Sequence, residues 1–339
     1  MYNIGTTMVI ENQKSRKLRV GVLRGGPSDE YDVSLRTGQN VIDSLRGRPN
    51  YEIQDLLIDR GGVWYIDGLA RPFERIFPHV DVIVNALHGK YGEDGRVQQI
   101  LEAHGVPFTG SKSLGSALGM NKHLAKKFFR SHGLLTPEHV LISKYEYTPQ
   151  SLQKILFSYP HLRLVKPAAS GSSFGICVPK SDAEFDEAIR HAFDFSDQVM
   201  VEEFIKGKEA TCGVAEGSGR NAHALHPVEI RDLAPRDVKD IWSYESKYDN
   251  NLHELVCPGD FTPEQTEIIR QSAVFAHNAL GLRHYSRSDF IVNRTGVYIL
   301  ETNTLPGLTN ESLFPRSLSV AGITLGDFLD HIITLAIQR

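Results

Sequence analysis

The chain has 339 residues, of which 41% are hydrophobic and 23% charged, and its formal net charge at pH 7 is −4. A chain of this length is typical of two or three globular domains. Basic and acidic residues number 37 and 41 and form no long basic run, which argues against nucleic acid as the main partner. No apolar stretch approaches the roughly 18 residues that a membrane span needs, so we expect no membrane partner either.

The N-terminal segment, residues 1–17, has neither the continuous apolar stretch nor the small-residue cleavage site of a secretory signal, which predicts a cytoplasmic protein. The three cysteines, Cys177, Cys212 and Cys257, are widely separated and show no C-x-x-C spacing. This pattern is typical of reduced thiols in the cytosol, and it disfavours both a zinc site and a disulfide framework.

Apolar strands alternate with helices in the first third of the sequence. LRVGVLRGG (18–26) is a strand that ends in a double glycine, and residues 34–46 follow with the apolar spacing of a helix. VDVIVNALHG (80–89) is a second buried strand, and a short helix over 97–105 comes after it. This alternation predicts an open parallel α/β sheet with ligand-facing loops at the carboxyl ends of its strands.

The character of the sequence changes after about residue 110. From residue 209 onward it is strand-rich, and a polar, tyrosine-bearing stretch over 242–251 is not expected in the core. The other elements predicted here are a basic amphipathic helix (121–133), a strand, Gly/Ser loop and strand (162–178), a helix capped by Ser181 with Glu184 as its capping-box partner (181–193), a strand (199–205) and a long helix (262–281).

SDFIVNRTGVYILETN (288–303) holds two β-rich runs that a short connection separates. We take this connection to be a three-residue loop over 294–296, because glycine in last place is common in such hairpins. With that loop, Asn293 pairs with Val297. Side chains alternate between the faces of a strand, so this register brings four polar residues to one face and one end of the hairpin: Arg287, Asp289, Glu301 and Asn303.

Asp289 falls opposite Glu301 in this register, and directly opposed carboxylates repel each other. A hard cation bound by the two acids and Asn303 would explain why they converge. Donors that are all oxygen favour Mg²⁺ or Mn²⁺, and Mg²⁺ commonly recruits substrate phosphates. The alternative is that the two acids are solvated hairpin ends, or that Arg287 pairs with them.

Two lysines are candidates for binding phosphate. Lys166 ends the strand LRLVK and is followed by PAASGSSFG, a Gly/Ser-rich run whose N–H groups and hydroxyls suit phosphate. The alternative is a flexible turn, and the run lacks the Walker pattern. Lys122 opens the basic helix and is either the second phosphate ligand or a solvated lysine on an amphipathic face.

Two glycine-bearing loops follow strands of the first domain. HGKYGEDG (88–95) is either a substrate-facing loop at the sheet edge or a tight connection into the next helix. GGPSDEYDVS (25–34) has the same ambiguity. Its Glu30 is either a ligand for an ammonium group or a favourable charge at a helix N-terminus.

Taken together and in order, these blocks resemble the D-alanine–D-alanine ligase family of the ATP-grasp superfamily. The likeness extends from about residue 18 to the C-terminus. It implies an α/β fold of three-domain ATP-grasp architecture, in which an N-terminal open parallel sheet (1–110) is followed by central (111–203) and C-terminal (204–339) α+β domains that clamp ATP. The segments that carry the resemblance are HGKYGEDG, PFTGSKSLGSALGMNKHLAKKFF, VKPAASGSSFG, EEFIKGKEAT, SDF and LETNTLPGLTNESLFP.

The resemblance also implies roles for individual residues. Asp289, Glu301 and Asn303 match ligands for Mg²⁺ or Mn²⁺, with two ions expected. The residues implied for ATP are Lys122 and Lys166 at the phosphates, Glu202, Glu203, Phe204 and Ile205 as the adenine-binding hinge, Glu209 at the ribose, and Lys247 near the γ-phosphate.

For the amino-acid substrates, the resemblance implies a second set of residues. Arg287 and the backbone of Gly307 stabilise the oxyanion. The others are Glu30, aided by His88, at the first ammonium, Ser172 and Tyr248 in a hydrogen-bonded set with Glu30, and Ser312 and Leu313 at the second carboxylate.

The activity that the resemblance implies is ATP-dependent joining of two D-alanines through an acyl phosphate, for peptidoglycan synthesis, in a homodimer. Alternatives are another ATP-grasp ligase with a different carboxylate and nucleophile, or a D-alanine–D-lactate ligase, although Tyr248 favours D-alanine as second substrate. A nucleotide-binding regulatory protein without turnover is disfavoured, because the set of lysines, acids and arginine is complete.

Overall fold

The computed structural model describes residues 16–169, 175–233 and 253–338. Within them the strands form three sheets, of five, three and six strands. Ser172, Lys247 and Tyr248, and with them the predicted polar stretch 242–251, lie outside the described residues.

The first sheet has the strand order β4-β3-β2-β1-β5. Strand β1 pairs in parallel with both β2 and β5, as predicted, but β3 and β4 add a short antiparallel edge that was not expected. The elements of this region are β1 (Leu18–Gly25), α1 (Tyr31–Leu45), β2 (Tyr51–Ile58), β3 (Trp64–Ile66), β4 (Leu69–Ala70), α2 (Phe73–Ile76), a 3₁₀ turn (Phe77–His79), β5 (Val82–Asn85) and α3 (Arg96–Ala103).

The second sheet is antiparallel, with the order β6-β8-β7. Ser181 caps α7, as predicted, but Glu184 bonds to the backbone N–H of Lys180 and so does not complete a capping box with Ser181. The elements are α4 (Ser113–Met120), α5 (Lys122–Ser131), β6 (His139–Ser143), α6 (Pro149–Ser158), β7 (Leu162–Pro167), α7 (Asp182–Ala192) and β8 (Gln198–Glu203).

The third sheet is antiparallel, with the order β12-β11-β9-β13-β14 and β10 paired to β9. Its long helix α8 starts with a capping box between Thr262 and Gln265. The elements are β9 (Lys208–Glu216), β10 (Ala222–Ala224), β11 (Val228–Asp232), β12 (His253–Val256), α8 (Pro263–Ala279), β13 (Tyr285–Asn293), β14 (Gly296–Asn303), α9 (Leu313–Val320) and α10 (Leu325–Ile337).

One hydrophobic core joins the first sheet to helix α10. Val20 and Val22 of β1 are fully buried in the same cluster as Phe328 and Ile332 of α10. Helix α10 therefore covers one face of the first sheet and brings the third sheet beside it. Among the described residues no single helix is long and apolar enough to cross a membrane, and α9 and α10, bent by 101°, meet that test only as a pair.

Candidate active site

The β13–β14 hairpin places its four polar residues as predicted, although its turn is different. Asn293 pairs with Gly296 rather than Val297, because Asn293 Oδ1 accepts hydrogen bonds from the backbone of Thr295 and Gly296 and closes a tighter turn. A bulge after Asp289 then shifts the register by one residue. The shift restores the predicted pairs, which are Asp289 with Glu301 and Arg287 with Asn303.

Asp289 is held by three neighbours. Arg287 donates to it twice, from Nε to Oδ1 and from Nη2 to Oδ2, both at 2.9 Å. Thr211 Oγ1 donates at 2.6 Å and Asn303 Nδ2 at 3.1 Å. Burial lowers the pKa of Arg287, but Asp289 and Glu301 outweigh that effect and raise it overall. Arg287 thus stays charged beside the acids.

Glu301, the opposing acid, contacts a lysine from another element. Lys122 Nζ lies 3.1 Å from Glu301 Oε2. The backbone N–H of Lys122 also bonds to Ala168 O, which ties the start of α5 to the end of β7. The two opposed carboxylates therefore have separate cations beside them. Together with Asn303 they form an oxygen donor set, whose chemistry fits Mg²⁺ or Mn²⁺.

A buried ionic cluster lies beside this end of α5. Lys166 Nζ is 3.0 Å from Glu202 Oε1, and Lys126 Nζ is 3.1 Å from Glu202 Oε2. Burial raises the pKa of Glu202, but the two lysines outweigh it and lower that pKa overall. Burial lowers the pKa of Lys126 to about 8, with Glu202 opposing the shift. Each oxygen of the Glu202 carboxylate thus has one ammonium group beside it.

Sequence reasoning did not single out Lys126. A signal for it exists, because residues four apart share one face of a helix, and Lys126 follows Lys122 by that spacing on α5.

The other predicted ATP residues lie near the connection from β8 to β9. Residues 203–205 are partly buried at the end of β8. Glu209 on β9 lies between Ile230 of β11 and Ile291 of β13, and it is also partly buried. Residues 203–205 directly follow the buried ionic cluster, because Glu202 and Glu203 are the last two residues of β8.

A second charged cluster lies at the carboxyl ends of β1 and β5. Ligand atoms of Glu30, His88 and Glu93 are all within 4.8 Å of one another. His88 is buried, with Nε2 at 2.9 Å from Thr37 Oγ1 and Nδ1 at 3.1 Å from Glu93 Oε1. Burial lowers the pKa of His88, but Glu93 and Glu30 outweigh it and raise the pKa. Two acids around one histidine form a site suited to an ammonium group.

The first and third sheets bring these two clusters together. The charge of Arg287 opposes protonation of His88, and the charge of Glu93 raises the pKa of Arg287. These effects place the Arg287 guanidinium near His88 and Glu93. Sequence reasoning missed Glu93 as a partner of His88, although GEDG follows His88 closely enough to have suggested it.

The segment from Gly307 to Leu313 forms a compact turn before α9. Ser312 Oγ is 2.7 Å from Thr309 Oγ1 and accepts a hydrogen bond from Thr309 N at 3.2 Å. A Cβ at Gly307 would lie only 3.0 Å from Ser312 Oγ, so glycine keeps this turn tight. Ser312 is the N-cap of α9 but makes no side-chain cap bond, and Leu313 is the first helical residue.

Comparison with known proteins now decides the family. The family model "D-ala D-ala ligase C-terminus" matches residues 128–334, and "D-ala D-ala ligase N-terminus" matches residues 71–111. The D-alanine–D-alanine ligase of Geotalea uraniireducens is 36% identical over 330 residues, covering 97% of this chain and 98% of that protein. The chain belongs to the D-alanine–D-alanine ligase family.

Solved structures of D-alanine–D-alanine ligases have the same architecture, which is the ATP-grasp fold. The enzyme from Coxiella burnetii has a TM-score of 0.80 at 26% identity, over 95% of this chain and 94% of that one. The enzyme from Bacillus anthracis complexed with ATP has a TM-score of 0.76 at 30% identity, over 96% and 98%. The VanG D-Ala:D-Ser ligase of Enterococcus faecalis has a TM-score of 0.81 at 28% identity, over 95% and 100%.

The ligase fold thus brings nine of the predicted site residues into two groups. One group joins the hairpin end to Lys122, and the ionic cluster that contains Lys166 and Glu202 lies beside it. The other is the cluster around His88. Arg287 of the first group lies near His88 of the second.

Proposed function

We propose that this chain joins two D-alanine molecules into D-alanyl-D-alanine for peptidoglycan, converting ATP to ADP and phosphate. The observation that carries the proposal is the position of Arg287. It binds Asp289 on the nucleotide side and is electrostatically coupled to His88 and Glu93 on the amino-acid side.

On the nucleotide side, Lys122 and Lys166 bind the phosphates of ATP. Asp289, Glu301 and Asn303 hold two ions of Mg²⁺ or Mn²⁺, which neutralise developing charge when bound. The adenine is bound by the hinge of residues 202–205, and the ribose by Glu209. This assignment is supported by the pairing of Lys122 with Glu301 and by the joint burial of Lys166 with Glu202.

On the amino-acid side, Glu30 binds the ammonium group of the first D-alanine, aided by His88. Two acids close to the buried His88 favour a cation at this place. The carboxylate of the same molecule then points toward Arg287. Ser172, Tyr248 and Lys247, outside the described residues, complete the site in this proposal.

The reaction proceeds in two steps. A carboxylate oxygen of the first D-alanine attacks the γ-phosphorus of ATP, and the bond between the γ-phosphorus and the oxygen that bridges to the β-phosphate breaks. ADP departs, and the first D-alanine is left as an acyl phosphate. The amine of the second D-alanine then attacks the acyl carbon, the resulting oxyanion is stabilised by Arg287 and the N–H of Gly307, and phosphate departs as the amine loses its proton. Water must be excluded throughout, since it would hydrolyse the acyl phosphate.

The second D-alanine is bound through its carboxylate by Ser312 and Leu313. These residues start α9, and a helix N-terminus favours an anion.

The proposal extends to three domains, 1–110, 111–203 and 204–339, of which the last two clamp ATP. It also includes a cytoplasmic location, where ATP is available, and a homodimer, which light scattering would test.

A coupled ADP-release assay tests this function. D-alanine with ATP and Mg²⁺ should release ADP and yield the dipeptide, identified by mass spectrometry. L-alanine alone should give no release above background. A product that contains D-lactate or D-serine in preference to a second D-alanine would overturn the assignment of the second substrate, and no ADP release with D-alanine would overturn the function itself.

A further inference from the structure

Lys126 of α5 is fully buried although its side chain carries a charge. A lysine is rarely buried unless its ammonium group has partners. Lys126 Nζ donates to Thr136 Oγ1 at 3.0 Å and is 3.1 Å from Glu202 Oε2. Because no part of Lys126 is exposed, it cannot touch a nucleotide in this arrangement.

The Glu202 carboxylate is shared between two lysines, one at each oxygen. Lys166 Nζ lies 3.0 Å from Glu202 Oε1, whereas Lys126 contacts Oε2. Two ammonium groups and one carboxylate give this buried cluster a net charge of one positive unit. An uncompensated buried charge is unfavourable unless an anion approaches it, and a phosphate group is such an anion.

We infer that Lys126 is a positioning residue: it neutralises Glu202, so that the positive charge of Lys166 remains available to the phosphates of ATP. The inference rests on the proposed role of Lys166. Without Lys126, Glu202 and Lys166 would form a neutral pair, and Lys166 would be held by Glu202 rather than by the nucleotide.

The first experiment replaces Lys126 with Met, a side chain of similar length that suits a buried place. Nucleotide affinity is measured by calorimetric titration with ADP and Mg²⁺, and the KM values for ATP and D-alanine are measured separately. Lys126→Met should weaken nucleotide binding by roughly tenfold to a hundredfold, and should change the KM for D-alanine less than about twofold. The neighbouring residue Lys127 is exposed, and Lys127→Met is the matched control, which should bind as the wild type does.

A second variant separates the charge argument from a purely structural role. The pair Lys126→Met with Glu202→Gln removes one positive and one negative charge and leaves Lys166 without its acid. It should regain most of the nucleotide affinity that Lys126→Met loses. A structural role for Lys126 predicts the opposite, because the double variant loses two buried partners.

The outcomes distinguish this inference from the proposed function. If wild type releases no ADP with D-alanine, the proposed function fails. If wild type is active and Lys126→Met binds nucleotide within about twofold of it, or loses affinity equally for D-alanine, the inference is wrong. If Lys126→Met does not fold, the double variant decides: wild-type-like binding supports the inference, and weak binding by a folded double variant overturns it.

Discussion

Arg287 binds Asp289 through two parallel hydrogen bonds of 2.9 Å each, in which only Nε and Nη2 take part. A guanidinium group has five N–H donors in a fixed plane, so three remain for a substrate. Asp289 therefore orients Arg287 and uses only two of its five N–H donors. This arrangement suits a group that must stabilise an oxyanion that forms at a fixed position in the site.

Replacing Arg287 with Ala should lower kcat by about 10²–10³-fold, the usual effect of losing one oxyanion donor. Steady-state kinetics of ADP release measure this effect. Arg294 is exposed at the turn of the same hairpin, and Arg294→Ala is a matched control that should retain wild-type turnover. A near-native kcat in Arg287→Ala would show that Arg287 does not stabilise the oxyanion.

Replacing Glu301 with Gln should raise the Mg²⁺ concentration for half-maximal activity by at least about tenfold, because a carboxylate ligand of the metal is lost. Binding of Mn²⁺ in the presence of ADP, followed by electron paramagnetic resonance, gives a readout independent of turnover. The exposed Glu264 supplies the control Glu264→Gln. Unchanged Mn²⁺ binding in Glu301→Gln would show that Glu301 pairs with Lys122 and does not bind the metal.

Replacing Glu93 with Gln should lower the pKa of His88, because the hydrogen bond and charge of Glu93 help to raise it. Proton-detected NMR of the imidazole nitrogens measures the shift. The same variant should raise the KM for D-alanine more than that for ATP. An exposed acid of the same domain, Glu74, supplies the control Glu74→Gln. A His88 pKa that does not move would contradict the coupling.

His284 should make the protein less stable in acid. Burial and the charge of Arg283 lower its pKa to about 3, from an ordinary histidine value of about 6.5. Between those values the unfolded chain binds a proton that the native state does not, so stability falls as pH drops from 6.5 toward 3. From pH 7 to pH 5 this one group accounts for about 2 kcal/mol.

Urea unfolding of His284→Asn at both pH values measures the contribution of His284. Asparagine tolerates the positive φ of 64° at this position and can still accept the hydrogen bond that Gly110 N–H donates. The variant should lose about 2 kcal/mol less than wild type on acidification. Exposed His79 provides the control His79→Asn. An equal acid sensitivity in wild type and His284→Asn would mean that other groups carry the effect.

The sequence was sufficient to predict the parallel pairing in the first sheet, several of the longer helices and strands, and the face on which the hairpin acids lie. It was insufficient for the turn, because the three hydrogen bonds that Asn293 Oδ1 accepts from Thr295 and Gly296 favour a shorter connection than glycine alone indicates. The bulge after Asp289 compensated for that difference. Patterning therefore identified the correct face, although it missed the local geometry.

The ionic cluster around Glu202 was harder to predict. Helical spacing places Lys122 and Lys126 on one side of α5, where both are buried, but it does not tell which acid Lys126 contacts. That acid is Glu202, which arrives from β8 far along the chain. Long-range ion pairs leave no local pattern. For the same reason the segment around Glu202 gave no sign of its contacts with Lys126 and Lys166.

The core that β1 shares with α10 has a consequence for how the protein is made. A ribosome releases Val20 and Val22 early, yet Phe328 and Ile332, which share their hydrophobic cluster, are synthesised only after the second and third sheets. The first sheet therefore acquires the cover of α10 only after the strands of the other two sheets have been synthesised, and until then its apolar face must stay shielded from other chains.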